Sequence, residues 1–195
     1  QKCTLALGCF WKPEENFKNK VGIIKTEVGY AGGKNPIVTY KEVCKGNTNH
    51  AEVVFLKFDE NLVSYTNLVE FFYQIHDPTT LNQQGPDRGS QYRSLIGYYD
   101  KTQCEIAKQI TDKLNESQFN QKITTIIEPV KNYCPAEDYH QKYNLGNVGK
   151  ENIHDIMTSD KANNLRDQIY GKIPADEDLL CRNCNLSVVD FSITS

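Results

Sequence analysis

Segments with strand-like and helix-like patterns alternate along the first two thirds of this chain, and this alternation most constrains its fold. The clearest strand is AEVVFLKF at 51–58, in which apolar side chains recur at alternate positions. Further strands are predicted at 5–7, 22–30, 94–99 and 123–130, and helices from Pro13, over 65–75, over 102–114 with a Thr102–Glu105 capping box, and from Pro135. Strands interleaved with helices predict a single α/β (α+β) domain with one mixed β-sheet flanked by helices.

Charge and hydropathy exclude several classes of partner. The net charge is −3 and the sequence pI is about 5.8, so no basic surface predicts binding to nucleic acid or to an anionic membrane. No apolar run approaches the ~20 residues that span a bilayer. We therefore expect no nucleic-acid or membrane partner. We also expect a monomer. The chain begins at Gln1, which leaves a removed targeting segment as an alternative.

The cysteines are seven in number and spread along the chain, which is a poor framework for disulfides. This usage predicts a reducing compartment, and we expect the cytoplasm. The exception is CRNC at 181–184, since CxxC spacing is typical of zinc sites and of redox pairs. Zinc would need two further ligands at short spacing, and the four histidines are scattered. The pattern therefore favours a redox pair at Cys181 and Cys184, and no metal.

The run LALGCFWKPEENF at 5–17 places a cysteine where a strand meets a helix. Gly8 permits a sharp exit from the strand, and Pro13 followed by two glutamates suits the first turn of a helix. Backbone N–H groups at such a junction stabilise a thiolate, so Cys9 is a candidate nucleophile. The alternative is structural, because cysteines and aromatics such as Phe10 and Trp11 are common in cores.

Polar residues in other segments could serve this cysteine. Glu52 shares its strand face with apolar residues, and loss of hydration there would raise its pKa and suit it to act as a general acid. The alternative is that Glu52 lies at the strand end and points to water. The aperiodic loop over 77–93 contains Asp87 and Tyr92 and has a length typical of functional loops. Tyr40 lies in a second polar stretch, and tyrosines in loops are commonly only packed.

Five segments together resemble the peptide-methionine sulfoxide reductase A family. They are GCFW at 8–11, EVGYAGG at 27–33, PIVTYKEVCKGNTNHAEVV at 36–54, HDPTTLNQQGPDRGSQYRS at 76–94 and EDYHQKY at 137–143. The resemblance runs in order from about Leu5 to Asn147. It implies a ferredoxin-like two-layer sandwich of mixed sheet and helices, with an active site open to solvent at the end of the sheet.

The resemblance also implies roles for individual residues. Cys9 would be the nucleophile and Glu52 the acid near the sulfoxide oxygen. The other implied site residues are Phe10 and Trp11 around the substrate methyl group, and Tyr40, Tyr92 and Asp87 in the polar cluster around the oxygen. The implied reaction reduces methionine-S-sulfoxide, free or in oxidised proteins and peptides. It passes through a Cys9 sulfenic acid and then a disulfide that thioredoxin, or dithiothreitol in vitro, reduces, without a bound cofactor or metal.

The chain departs from the family pattern at two places. Lys12 and Pro13 follow GCFW where the family usually has glycine, and the cation could favour the thiolate further. The C-terminal segment also differs, so we expect a catalytic domain at 1–147 and an irregular or partly helical extension at 148–195. Cys181 and Cys184 are assigned to recycling only on the basis of their CxxC spacing, and we favour Cys181 as the first partner of Cys9.

Two other functions compete with this interpretation. A redox-sensing or peptide-binding protein could use Cys9 as a switch without turnover, but Glu52 and two tyrosines would then be superfluous. A general thiol–disulfide oxidoreductase could use CRNC, but that motif does not follow a strand of a βαβ unit.

Overall fold

The structure is a computed structural model, and it describes residues 1–143. The strands are β1 Lys2–Leu7, β2 Ile23–Ala31, β3 Ala51–Phe58, β4 Gln83–Gln84, β5 Asp87–Arg88, β6 Ser94–Tyr98, β7 Ile126–Pro129 and β8 Cys134–Pro135. The α-helices are α1 Trp11–Lys18, α2 Tyr40–Cys44, α3 Tyr65–Gln74 and α4 Lys101–Ser117, and single 3-10 turns cover Ser90–Tyr92 and Asp138–His140. The predicted extension at 148–195, with Cys181 and Cys184, lies outside the described residues.

Six of these strands form one mixed sheet in the order β7-β6-β1-β3-β2-β8. All neighbouring pairs are antiparallel except β6 and β7, which are parallel. β4 and β5 form a separate hairpin. The predicted α/β class, with a mixed sheet flanked by helices, is confirmed.

The main core lies between one face of the sheet and the helices. Alternate residues of β1 and β3, such as Leu5 and Leu56, point into this core because successive side chains of a strand face opposite sides. Phe17 of α1, Leu68 of α3 and Ala107 of α4 complete the same buried cluster. The other face carries a smaller cluster of Ala6, Ala31, Ala51, Val53 and Leu95, with Tyr133 packed against it.

One end of the sheet gathers chain segments that are distant in sequence. β1 ends here at Leu7, which pairs with Ser94, the first residue of β6. β2 ends at the same level, with Ala31 paired to Ala51, the first residue of β3. Residues just after β1 and β2, and just before β3 and β6, therefore lie close together at this end.

Several local predictions are wrong. Thr102 and Glu105 do not cap α4, because the helix begins earlier and the Asp100 side chain accepts the Gln103 backbone N–H. Asp100 has extended backbone angles, so its carboxylate reaches the free N–H groups of the first turn before Thr102 can.

Two other segments also differ from prediction. The polar stretch after β2 contains the short helix α2, which a Thr39–Glu42 capping box begins. The predicted helix from Pro135 is only one 3-10 turn, because Pro135 pairs with Gly29 in the sheet and Ala136 continues by donating its N–H to Val28.

Within residues 1–143, no helix is both long and apolar enough to cross a bilayer. The same described residues include no group of three or more histidine, cysteine or acidic side chains placed to hold a metal ion.

Candidate active site

Cys9 lies at the junction between β1 and α1, as predicted from the sequence. It is half-buried and directly precedes the Phe10 N-cap of α1, which has no side-chain cap, so the first N–H groups of the helix are close by. Gly8 makes the turn with φ +86°, and a Cβ added there would lie 2.5 Å from the Gln84 Cβ. This close approach places the β4–β5 hairpin against the turn that carries Cys9.

Glu52 lies beside this junction and is buried, with 1% of its surface exposed. Its Oε2 accepts the Phe10 backbone N–H at 3.2 Å, so the carboxyl contacts the residue that follows Cys9. The alternative that Glu52 points to water is wrong. A buried carboxyl that is hydrogen-bonded next to a candidate nucleophile has the placement a proton donor needs.

Phe10 and Trp11 form an aromatic wall at the start of α1. Phe10 is buried and packs against Tyr30, with ring centroids 5.8 Å apart. Trp11 is half-buried and stacks on Tyr143, with centroids 3.8 Å apart and planes 9° apart. Phe10 therefore belongs to the core as well as to the wall, whereas Trp11 faces the edge of the site.

Tyr40 joins the same cluster through the chain segment after β8. Its backbone N–H donates to Glu137 Oε1 at 2.8 Å, and its ring lies 4.5 Å from the His140 ring between centroids. The second oxygen of Glu137 accepts the Tyr30 hydroxyl at 2.9 Å. Burial, followed by the charges of Glu137 and Glu52, raises the pKa of Tyr30, so this hydroxyl stays a donor.

Asp87 and Tyr92 lie on the predicted functional loop, at the same end of the sheet. Tyr92 is buried and ends a 3-10 turn two residues before β6, and Asp87 opens β5. Arg93 braces the loop, because its guanidinium donates to the Ser90 carbonyl at 2.7 Å and to the Asn49 carbonyl at 3.0 Å. The loop is thus held against both the Gly8 turn and the start of β3.

A segment over 137–143, which we call the strap, contacts several residues of this site, and its contacts were not predicted from the sequence. Its His140 is 2% exposed and accepts the Trp11 indole N–H at Nδ1, at 3.2 Å. Its Gln141 side chain bonds both the N–H and the C=O of Val28, at 3.0 and 2.9 Å. EDYHQKY marked the strap only as part of the family resemblance, because its contacts are more than 95 residues away in sequence.

Lys12 and Glu14 are close to Cys9 in sequence, and each of their charged side chains is paired with a residue of opposite charge. The Lys12 amino group binds Glu15 at 3.1 Å on the exposed side of α1. The Glu14 carboxylate is buried and binds Thr26 and Lys142, so it anchors the strap.

Residues 1–143 include five cysteines, which form no disulfide with one another. They are Cys3, Cys9, Cys44, Cys104 and Cys134. Burial raises the pKa of the Cys3 thiol, which makes it inert. The structure therefore brings together Cys9, Phe10, Trp11, Tyr40 and Glu52, with the loop of Asp87 and Tyr92 alongside.

Comparisons with known proteins identify the family of this chain. The family model for peptide methionine sulfoxide reductase matches residues 1–172. The peptide methionine sulfoxide reductase MsrA of Pelagibacter ubique is 56% identical over 139 residues, which cover 71% of this chain and 94% of the relative. The MsrA of Methanothermobacter thermautotrophicus is 47% identical over 144 residues, covering 73% and 85%.

Solved structures show the same fold. Reduced Mxr1 from Saccharomyces cerevisiae superposes with a TM-score of 0.72 at 38% identity, covering 75% of this chain and 85% of that protein. Mxr1 in complex with Trx2 superposes with a TM-score of 0.53 at 27% identity, covering 73% and 84%. The chain therefore belongs to the peptide methionine sulfoxide reductase family and is an enzyme of that family.

Proposed function

We propose that the chain reduces methionine-S-sulfoxide to methionine, with Cys9 as the nucleophile and Glu52 as the acid. The observation that carries this proposal is the buried Glu52 carboxyl, hydrogen-bonded to the Phe10 N–H immediately after Cys9. The aromatic wall of Phe10 and Trp11 adjoins the same junction and suits the apolar methyl group of the substrate.

The chemistry follows from these groups. The Cys9 thiolate attacks the sulfoxide sulfur, and Glu52 donates a proton to the sulfoxide oxygen. The attack joins the two sulfurs; the protonated oxygen then passes from the substrate sulfur to Cys9 Sγ as the S–S and substrate S–O bonds break, so that methionine leaves and Cys9 becomes a sulfenic acid. Tyr40, Tyr92 and Asp87 are the proposed polar neighbours of the oxygen, because they lie on α2 and on the braced loop at this end of the sheet.

We propose that two further thiols of the chain take part in recovery of the Cys9 thiol. In our proposal, Cys181 attacks the Cys9 sulfenic acid, which releases water and forms a disulfide. Cys184 then attacks Cys181 and frees Cys9, and thioredoxin reduces the Cys181–Cys184 disulfide. The solved complex of Mxr1 with Trx2 supports thioredoxin as the reductant. Cys44 and Cys134 are the alternative partners.

The first test is Cys9→Ser, since a hydroxyl is a far weaker nucleophile than a thiolate near neutral pH. We expect no measurable reduction of a methionine sulfoxide substrate with dithiothreitol, while Cys104→Ser on α4 retains activity. Residual activity above about a tenth of wild type would contradict the assignment of Cys9, because a serine hydroxyl cannot replace a thiolate as the nucleophile.

The second test separates turnover from recycling. With Cys181 and Cys184 both changed to serine, we expect one equivalent of methionine per enzyme without reductant, but no sustained turnover with thioredoxin. Peptide mapping of the oxidised wild type should find these two cysteines joined. A Cys9 disulfide to Cys44 or Cys134, with both C-terminal thiols free, would overturn the recycling scheme and leave the reductase assignment intact.

A further inference from the structure

The Trp11 side chain is held from two sides by the strap. Tyr143 stacks on the face of its indole at 3.8 Å between ring centroids, and His140 Nδ1 accepts its N–H at 3.2 Å. An indole N–H only donates, so His140 Nδ1 must be unprotonated to accept it. The neutral ring then carries its proton on Nε2.

The surroundings of His140 favour this neutral state. The ring is 2% exposed and packs against Phe10, Trp11, Tyr40 and Tyr139, with centroids between 4.3 and 5.6 Å apart. The titratable groups facing it are the two tyrosines and, three residues earlier in the strap, Glu137. Burial lowers the pKa of His140 to about 4, and the charge of Glu137 opposes this effect only in part.

The buried Nε2 has no hydrogen-bond partner among residues 1–143. A buried donor left without a partner costs about 1–3 kcal/mol, so packing alone does not account for a histidine here. A phenyl ring would fill the same aromatic niche without that cost. The feature that phenyl would lack is the acceptor at Nδ1.

We propose that His140 is a positioning residue for Trp11: its neutral imidazole accepts the indole N–H at Nδ1 and fixes the orientation of the aromatic wall. This inference rests on the proposed function, in which Trp11 contacts the substrate methyl group. Glu137 and Gln141 hold the backbone on both sides of His140 through Tyr30, Tyr40 and Val28. The imidazole is therefore presented to Trp11 by a segment that is itself anchored.

The test uses two variants, one that lacks an acceptor at this position and one that retains it. His140→Phe keeps an aromatic ring and removes the acceptor, whereas His140→Asn offers an amide oxygen near the Nδ1 position. Trp11 is the only tryptophan of the chain. Its indole N–H gives a single side-chain resonance that reports on this hydrogen bond without any need for turnover.

We expect the indole N–H resonance to move upfield in His140→Phe and to stay near its wild-type position in His140→Asn. Acidification of the wild type toward pH 4 should shift the same resonance, because protonated Nδ1 opposes the indole donor, and neither variant should show this transition. The KM for methionine sulfoxide should rise about tenfold in His140→Phe, as for loss of one hydrogen bond, and less in His140→Asn, with kcat changed little.

An indole resonance unchanged between wild type and His140→Phe would overturn the proposal, as would an equal rise in KM for both variants. If a variant does not fold, the acid titration of the wild-type resonance decides the question, and its absence counts against the proposal. Failure of the proposed function would look different. The resonance would then respond as expected in the two His140 variants, while neither they nor the wild type reduced a methionine sulfoxide substrate.

Discussion

Lys142→Met should loosen the strap from the domain and lower its stability. The Lys142 ammonium pairs with the Glu14 carboxylate, whose side chain is 3% exposed. Two other donors bind that carboxylate, the Thr26 hydroxyl at 2.9 Å and the Lys142 backbone N–H at 3.0 Å. Methionine keeps the apolar stem but removes the ammonium group, which leaves Glu14 buried without its cation and also removes the hydrogen bonds that the ammonium donates to the Thr26 carbonyl and hydroxyl oxygens.

The magnitude follows from how deeply each partner is buried. Removing one partner of a buried ion pair costs about 3–5 kcal/mol. The Lys142 side chain is 38% exposed, so water already weakens this pair, and we reduce the expected cost to about 2–3 kcal/mol. With a urea m-value of about 2 kcal/mol/M, the midpoint of unfolding should fall by about 1–1.5 M.

The matched control, Lys12, lies on α1, the helix that carries Glu14. Lys12→Met breaks the pair with Glu15 at 3.1 Å, but Lys12 is 73% exposed, so the unfolding free energy should change by less than about 1 kcal/mol. Urea unfolding followed by far-UV circular dichroism and by Trp11 fluorescence measures both variants. Equal midpoints for the two variants would refute the idea that burial sets the cost.

A second variant tests the physical cause. Glu14→Gln combined with Lys142→Met removes both charges, and the amide oxygen can still accept the Thr26 hydroxyl. The double variant should regain most of the lost stability, since a buried pair replaced by neutral groups is often tolerated. If it is no more stable than Lys142→Met alone, the uncompensated charge is not what destabilises the single variant.

Three further predictions concern the site and its frame. Glu52→Gln should slow single-turnover sulfoxide reduction by about two to four orders of magnitude, while its amide oxygen still accepts the Phe10 N–H; a rate equal to wild type at neutral pH makes Glu52 structural. Gly8→Ala should lower stability and activity more than Gly46→Ala, because both glycines have positive φ but, of the two, Gly8 alone lacks space for a Cβ. Similar urea midpoints of unfolding for the two variants would contradict this. Burial lowers the pKa of His76 from 6.5 to about 4. Its contribution to stability is therefore constant above about pH 6.5 and is lost as the pH falls toward 4. The free energy of unfolding, measured with urea across that pH range, should depend less on pH in His76→Gln than in the wild type.

Much of the fold could be predicted because its signals are local. The strand over 51–58 was predicted with the bounds that β3 has, since its alternating apolar residues face one buried side. The junction at Cys9 was also predicted, because a glycine after a strand and acidic residues in a following first turn need no distant partner. α2 was missed because it is only five residues long and lies within a polar stretch.

The position of Cys9 between a strand and a helix and the class of fold were thus determined by the sequence alone, through hydrophobic periodicity and turn residues. Only the tertiary structure decided which polar groups meet at the end of the sheet. Glu52 reaches the Phe10 N–H across 42 residues, and His140 reaches Trp11 across 129. Such contacts depend on strand order and on the path of the strap along β2, and no local sequence pattern encodes either of them. The hydrophobic period of a helix or strand specifies which of its faces is buried, but it does not specify what that face is buried against.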